Sequence, residues 1–311
     1  MRHIAVAGAL GLLVATGAVP VSADVRYEAV VRTTDSLTRG TVELEEKVTV
    51  SVKGDRLRQE VQGARTVVTR RGARYQKPGH RVTLDQLDRG LRYDINLDAG
   101  TYAEESLAGL RQQHEETITA AEQALKVNPA EALPALSVTV ERTGEQREVH
   151  GTPCERVVLR SATEIVLTAT RGGGPVGSAP TRFSMTFDVC LARDSALREV
   201  RAIEERVETA TGERGALAER QLRIFAARRD VLAVYELMQR LMDRERQNLG
   251  GTPMRWEETF VGPRREQRDA TLYRHFGEIT RIEHRPLDAS SFELPAGLTL
   301  DARRAGRLPA Q

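Results

Sequence analysis

The sequence predicts an α+β protein built on an antiparallel sheet, and three observations predict it. Apolar residues recur with period two through most of the chain. The breaks between these runs carry Gly, Asp and Pro, which makes consecutive runs hairpin neighbours. Helical spacing is confined to two blocks and does not alternate with the strands, which argues against a parallel βαβ sheet.

Taken in order, Val25, Tyr27, Ala29 and Val31 share one face of the first strand. Val42, Leu44, Val48, Val50 and Val52 form the second, which reverses at Lys53-Gly54-Asp55 into Leu57 and Val61. Gly63 ends that run, a strand follows from Thr66 to Arg70, and Arg71-Gly72 turns the chain again. Leu91, Tyr93, Ile95 and Leu97 give the clearest alternation, closed by Asp98-Ala99-Gly100 as a hairpin and resumed at Thr101-Tyr102. A helix is expected from about Glu104 to Lys126, before Asn128-Pro129 and Pro134 break the chain.

Leu136, Val138 and Val140 restart the strand period, and a long strand carries Val157, Leu159, Ile165 and Leu167. Phe183, Met185, Phe187, Val189 and Leu191 supply its antiparallel partner across the glycine-rich stretch Arg171 to Pro180. That stretch lacks a following Lys-Ser/Thr and a helix start, so it reads as a hairpin loop and not as a phosphate cradle. Residues 194–248 form an enlarged helical block, with a stripe of Leu197, Val200, Ile203 and Val207 and a second of Val231, Val234, Tyr235, Met238, Leu241 and Met242. Gly212 and Gly215 separate helices, and Gly250-Gly251 ends the block. Met254, Trp256 and Phe260 resume the alternation, and in the last strand the period slips near Gly277, which predicts a bulge there. The total is about eleven strands with helices in two places.

Length and charge narrow the function. The chain has 311 residues, 46 Lys plus Arg and 44 Asp plus Glu. This balance lacks the cation surplus of a dedicated nucleic-acid binder. Residues 1–23 have the layout of a secretory leader: Arg2, an apolar stretch from Ile4 to Ala15, and the small-residue site Val21-Ser22-Ala23. The expected division is a signal peptide at 1–23 and a single domain at 24–311. Periplasmic localisation follows, with secretion as the alternative, and no transmembrane segment is expected after cleavage. The two cysteines, Cys154 and Cys190, are read as a disulfide on the ground of an oxidising compartment.

No catalytic motif is found: there is no GxSxG, no HExxH around His114-Glu115-Glu116 and no GxGxxG opening a helix. His80, His150, His275 and His284 are scattered, no metal or cofactor site is assigned, and the Arg/Glu-rich helices read as solvated faces. The expectation is therefore a non-enzyme.

Four short patterns carry a family resemblance. They are the leader opening directly into hairpins, the Tyr93 to Tyr102 hairpin, the Gly151-Thr152-Pro153-Cys154 entry to a long strand, and the ending Ser290-Ser291-Phe292-Glu293-Leu294-Pro295-Ala296-Gly297. Together they resemble the LolA-like superfamily of periplasmic lipoprotein carriers and their uncharacterised exported relatives. The resemblance implies an incomplete β-barrel, a curved antiparallel sheet whose concave apolar face is covered by helices and takes acyl chains or hydrophobic peptide. The helix that precedes the carriers' first strand has no counterpart here.

The expected function is accordingly an exported binding protein that holds a lipid-like or other apolar ligand between sheet and helical cover. Lipoprotein acyl chains are one class of partner. By strand parity the cavity residues are Tyr27, Val48, Val50, Tyr93, Ile95, Met254, Trp256 and Phe260. The alternative is an envelope sensor or protein-interaction module in which the helices of 194–248 bind an envelope partner.

Overall fold

The computed structural model describes residues 24–37, 41–68, 74–127, 136–166, 170–171, 174–175, 180–193, 195–228, 230–264 and 267–301. The expected leader, the Arg71-Gly72 turn, the Pro129 and Pro134 break and most of the glycine-rich loop lie outside these residues.

The chain runs β1 (Val25–Asp35), β2 (Thr41–Lys53), β3 (Arg56–Val68), β4 (Arg74–Gln86), β5 (Leu91–Asn96), β6 (Thr101–Ser106) and α1 (Leu107–Leu125). It continues with β7 (Val138–Val149), β8 (Thr152–Ile165), the short β9 (Thr170–Arg171) and β10 (Gly174–Pro175), and β11 (Thr181–Ala192). Then come α2 (Ser195–Thr211), α3 (Ala216–Ala227), α4 (Val231–Leu249), β12 (Thr252–Arg264), β13 (Gln267–His284), a 3-10 turn at Ala289–Phe292, and β14 (Thr299–Leu300).

Twelve of these strands make one curved, unclosed sheet in the order β14-β6-β5-β4-β3-β2-β1-β13-β12-β11-β8-β7. Every pairing in it is antiparallel except β14 with β6. The α+β class and the pairing of β8 with β11 are therefore as the alternation predicts. The chain zigzags outward from β1 to β6 and then returns on the other side of β1, so the two termini of the sheet belong to opposite wings.

Three differences from the sequence reading have physical causes. Gly63 does not end a strand: β3 passes through it, because a Cβ there would lie 2.2 Å from the Glu45 carbonyl oxygen, and only glycine lets β2 come so close. β4 is an additional strand, whose exposed first half from Arg74 to Pro78 conceals the buried Val82 and Leu84. The bulge of β13 falls at Thr280 and not near Gly277, since Glu28 faces Arg281 while Ala29 faces Ile279. The Thr280 hydroxyl donates to the Glu28 carbonyl at 3.2 Å and fixes the offset. A second bulge at Leu272 lies between the pairs Phe260 with Tyr273 and Val261 with Thr271. Between the bulges Tyr273, His275, Gly277 and Ile279 alternate regularly, with Phe276 on the opposite face.

The helical cover follows from the stripes. Leu197, Val200, Ile203 and Val207 of α2 are all buried, and α2 packs on β1, β2, β3 and β12. Val234, Tyr235, Met238 and Met242 of α4 are buried in the main core with Phe183, Met185 and Phe260, and α4 packs on β7, β8 and β11. α3 bridges α1 and α4. Caps set the helix starts: the Ser106 hydroxyl accepts from the Gly109 amide at 2.9 Å, and Asp230 Oδ1 accepts from the Ala233 amide at 2.9 Å.

Two fastenings hold the ends of the sheet. Cys154 of β8 and Cys190 of β11 form a disulfide with their Cα atoms 5.3 Å apart. On the other wing the C-terminal segment closes over β3 to β5: Phe292 is fully buried, and its carbonyl accepts from Gln86 Nε2 at 2.7 Å. Glu293 pairs with Arg56 at 2.5 Å and Arg89 at 3.0 Å, while Leu294 and Leu298 pack on the cluster of Val82, Leu84, Tyr93 and Ile95.

Candidate functional site

A cavity of about 340 Å³ lies between the sheet and the helices α2 and α4. Its floor is the row in which β12 and β13 pair: Trp256 opposite Gly277, Glu258 opposite His275, with Tyr273 and Ile279 continuing β13. Direct cross-strand partners point to one face of a sheet, so this row is set by register alone. Phe187 of β11 extends it, being the other partner of Glu258. Tyr27 of β1 closes one side. Leu197, Val200, Arg201 and Glu204 of α2 and Gln239, Asp243 and Arg246 of α4 form the roof.

Gly277 shapes the floor. A Cβ built there would meet Trp256 Cζ2 at 2.0 Å, so the indole occupies the space over the glycine. Trp256 is the chain's single tryptophan, and its ring centroid lies 6.2 Å from that of His275. Tyr273 stands 6.3 Å beyond His275 and Tyr235 4.7 Å from Tyr273, which makes a continuous aromatic wall.

The lining is as polar as it is apolar. Glu258 is 6% exposed, and its Oε1 has no hydrogen-bond partner, although Tyr235 and Gln239 donate to the carboxyl. Burial, reinforced by Asp243 and Glu236, pushes its pKa up to about 7. Burial likewise raises Glu204. It lowers His275, so this imidazole is neutral at physiological pH, held by a 2.9 Å hydrogen bond between Nδ1 and the Thr33 hydroxyl. Tyr27 is raised by burial and then by Glu204. Arg201 Nη2 and Thr252 Oγ1 are two further buried atoms without a hydrogen-bond partner. The arginines have acidic neighbours of their own, Arg246 with Asp243 at 3.2 Å and Arg201 with Glu205 at 3.4 Å and Glu204 at 3.7 Å.

Of the eight cavity residues expected from parity, the structure brings Tyr27 and Trp256 into this lining. Val48 and Val50 pack beneath α2 beside Tyr27. Met254 is fully buried near the disulfide. Phe260 lies inside the main core, stacked on Phe183 at 5.5 Å. Tyr93 and Ile95 face the C-terminal segment on the other wing, where Ile95 borders a separate polar hollow with Arg81, Asp94 and Asp301. The expected apolar concavity is thus largely filled by side chains, and the open part is lined by charge as well as aromatic surface.

Sequence reasoning missed Glu258, His275, Tyr273, Arg201, Glu204, Asp243 and Arg246. Glu258 carried a usable signal, since it sits between Trp256 and Phe260 on the buried parity of β12. The helical charges carried none, because their spacing is that of ordinary solvated pairs.

Among the described residues no group of three His, Cys, Asp or Glu side chains is placed to hold a metal ion, and no helix is long and apolar enough to cross a membrane. No family model matches the chain, and no curated protein matches it. One solved structure to which it bears a faint similarity is a β-barrel-like protein of a domain of unknown function, DUF1849, from Brucella abortus. The two are 8% identical with a TM-score of 0.14, over 84% of this chain and 98% of that one.

Proposed function

We propose that this protein is an exported binding protein, not an enzyme, and that it holds one small amphipathic molecule in the cavity beneath α2 and α4. The observation that supports this most is the meeting of an aromatic wall with the side chains of Arg201, Thr252 and Glu258, each of which carries a buried polar atom without a hydrogen-bond partner. Unpaired buried polar groups cost about 1 to 3 kcal/mol each, and a ligand with polar and apolar parts recovers that cost. The volume is at the lower end for small-molecule sites, which favours a compact ligand or a single short chain over a whole lipid.

An unclosed sheet under a helical cover also supports kinship with the LolA-like carriers, with polar chemistry added to the cavity. The disulfide and the leader-like residues 1–23 support export to the periplasm or beyond. Use of the helices as a protein-docking module has less support, because the stripes of α2 and α4 are spent on the sheet.

Trp256 provides the test, since no other tryptophan contributes to the emission. Titration with short-chain amphiphiles is expected to shift or quench its fluorescence saturably. Emission unchanged across alcohols, carboxylates and amines of two to ten carbons would refute the reading.

A further inference from the structure

The chemistry of the lining selects among amphipathic ligands. We propose that Glu258 is the ligand-selecting residue and that it takes a cationic nitrogen, that of an amine or ammonium compound, whose apolar body packs on Trp256 and Tyr273. The inference rests on the cavity being a ligand site.

Charge pairing points to a cation. The cavity is lined by three acids, Glu204, Asp243 and Glu258, against the two arginines Arg201 and Arg246. Both arginines have acids at 3.2 to 3.7 Å, although Arg201 Nη2 itself has no hydrogen-bond partner. Among the described residues no cation is paired with Glu258. From α4 it is faced by Asp243 and Glu236, both acidic, and by the neutral donors Tyr235 and Gln239. From β13 it meets His275, kept neutral by burial, and Tyr273; from β11 it meets the apolar Phe187. α2 adds Arg201 and Glu204, which are engaged with each other at 3.7 Å.

A buried carboxylate with an orphan oxygen gains most from a charge-assisted hydrogen bond or ion pair inside the same low-dielectric space. The flanking rings add to this, because their negative faces attract a cation. A ligand carboxylate or phosphate would instead face Glu258 with Asp243 and Glu236 beside it. Since burial already makes Glu258 hold its proton near neutrality, an incoming ammonium group displaces that proton to solvent.

The test compares hexylammonium, hexanol and hexanoate on the full chain at pH 7, by calorimetry in buffers of different ionisation enthalpy and by Trp256 emission. Hexylammonium is expected to bind about tenfold or more tighter than hexanol, with proton release, and hexanoate weakest. Glu258→Gln, which preserves shape, is expected to abolish both the preference for hexylammonium and the proton release. Equal binding of the three probes, or an ammonium preference that survives Glu258→Gln, overturns the inference but leaves the cavity as a ligand site. Silence of all three probes overturns both.

Discussion

Phe260→Ala is expected to lower the unfolding free energy by about 4 kcal/mol, the range for removing a fully enclosed aromatic ring. Phe260 has no exposed surface, stacks on Phe183 at 5.5 Å and meets Tyr235 edge-on at the same distance. Its cross-strand partners are Met185 and Tyr273, so the ring joins β11, β12, β13 and α4 at one point. Collapse into the hole is restricted, because the ring of Phe183 already fills the space over Gly262. Urea unfolding with an unchanged m-value measures this, and Tyr75→Ala, at a side chain 65% exposed, is the control expected to move stability by less than about 0.5 kcal/mol. A loss below about 1 kcal/mol for Phe260→Ala would mean that this part of the concave face is not packed core.

The second large effect is a dependence of stability on pH that runs through Glu258. In the unfolded chain its carboxyl titrates near the ordinary value of 4.5, and in the folded protein near 7. Below both values it is protonated in both states and contributes no difference. Between them the folded state binds the extra proton, so this group makes stability fall as pH rises. Above the folded value both states are ionised, and the accumulated cost levels at about 3 kcal/mol. Other carboxylates contribute with the opposite sign: Glu28 and Asp88 are lowered, first by hydrogen bonds from Lys47 and Arg56 respectively. The informative quantity is therefore the difference between Glu258→Gln and the parent, in which shared groups cancel. That difference is expected to grow from near zero at about pH 4 to about 3 kcal/mol in favour of the variant at about pH 8. A difference that stays constant across this interval would show that Glu258 titrates normally.

The fold was legible where one face of a strand is buried and the other wet. Val25 to Val31, Leu91 to Leu97 and Phe183 to Leu191 announce their strands by alternation, and the hairpin order follows from their turns. β4 was not legible, because Lys77, Pro78 and Gly79 read as loop residues and its buried apolar positions are only Val82 and Leu84. Its place is imposed by pairing with β3 and β5, which is tertiary information. The bulge at Thr280 leaves no mark of its own in the sequence, because Phe276 and Ile279 look like a broken period when they simply occupy opposite faces.

The site was legible in part for a related reason. Parity tells which face a residue occupies but not what covers that face. Tyr27 and Trp256 lie under α2 and α4 with space left over, whereas Tyr93 and Ile95, equally well patterned, lie under Leu294 and Leu298. The polar half of the cavity comes from helices: Arg201, Glu204, Asp243 and Arg246 sit at the margins of amphipathic stripes, where sequence spacing cannot separate a solvent-facing charge from one that borders a cavity. Glu258 was the exception, a carboxylate placed in an inward-facing row.

The most direct test of the ligand cavity is native mass spectrometry of the full chain after incubation with an equimolar mixture of hexylammonium, hexanol and hexanoate. The expected spectrum shows saturable addition of one small molecule per chain, predominantly the ammonium compound. A spectrum of bare protein, or of adducts that rise with concentration without saturating, would contradict the account.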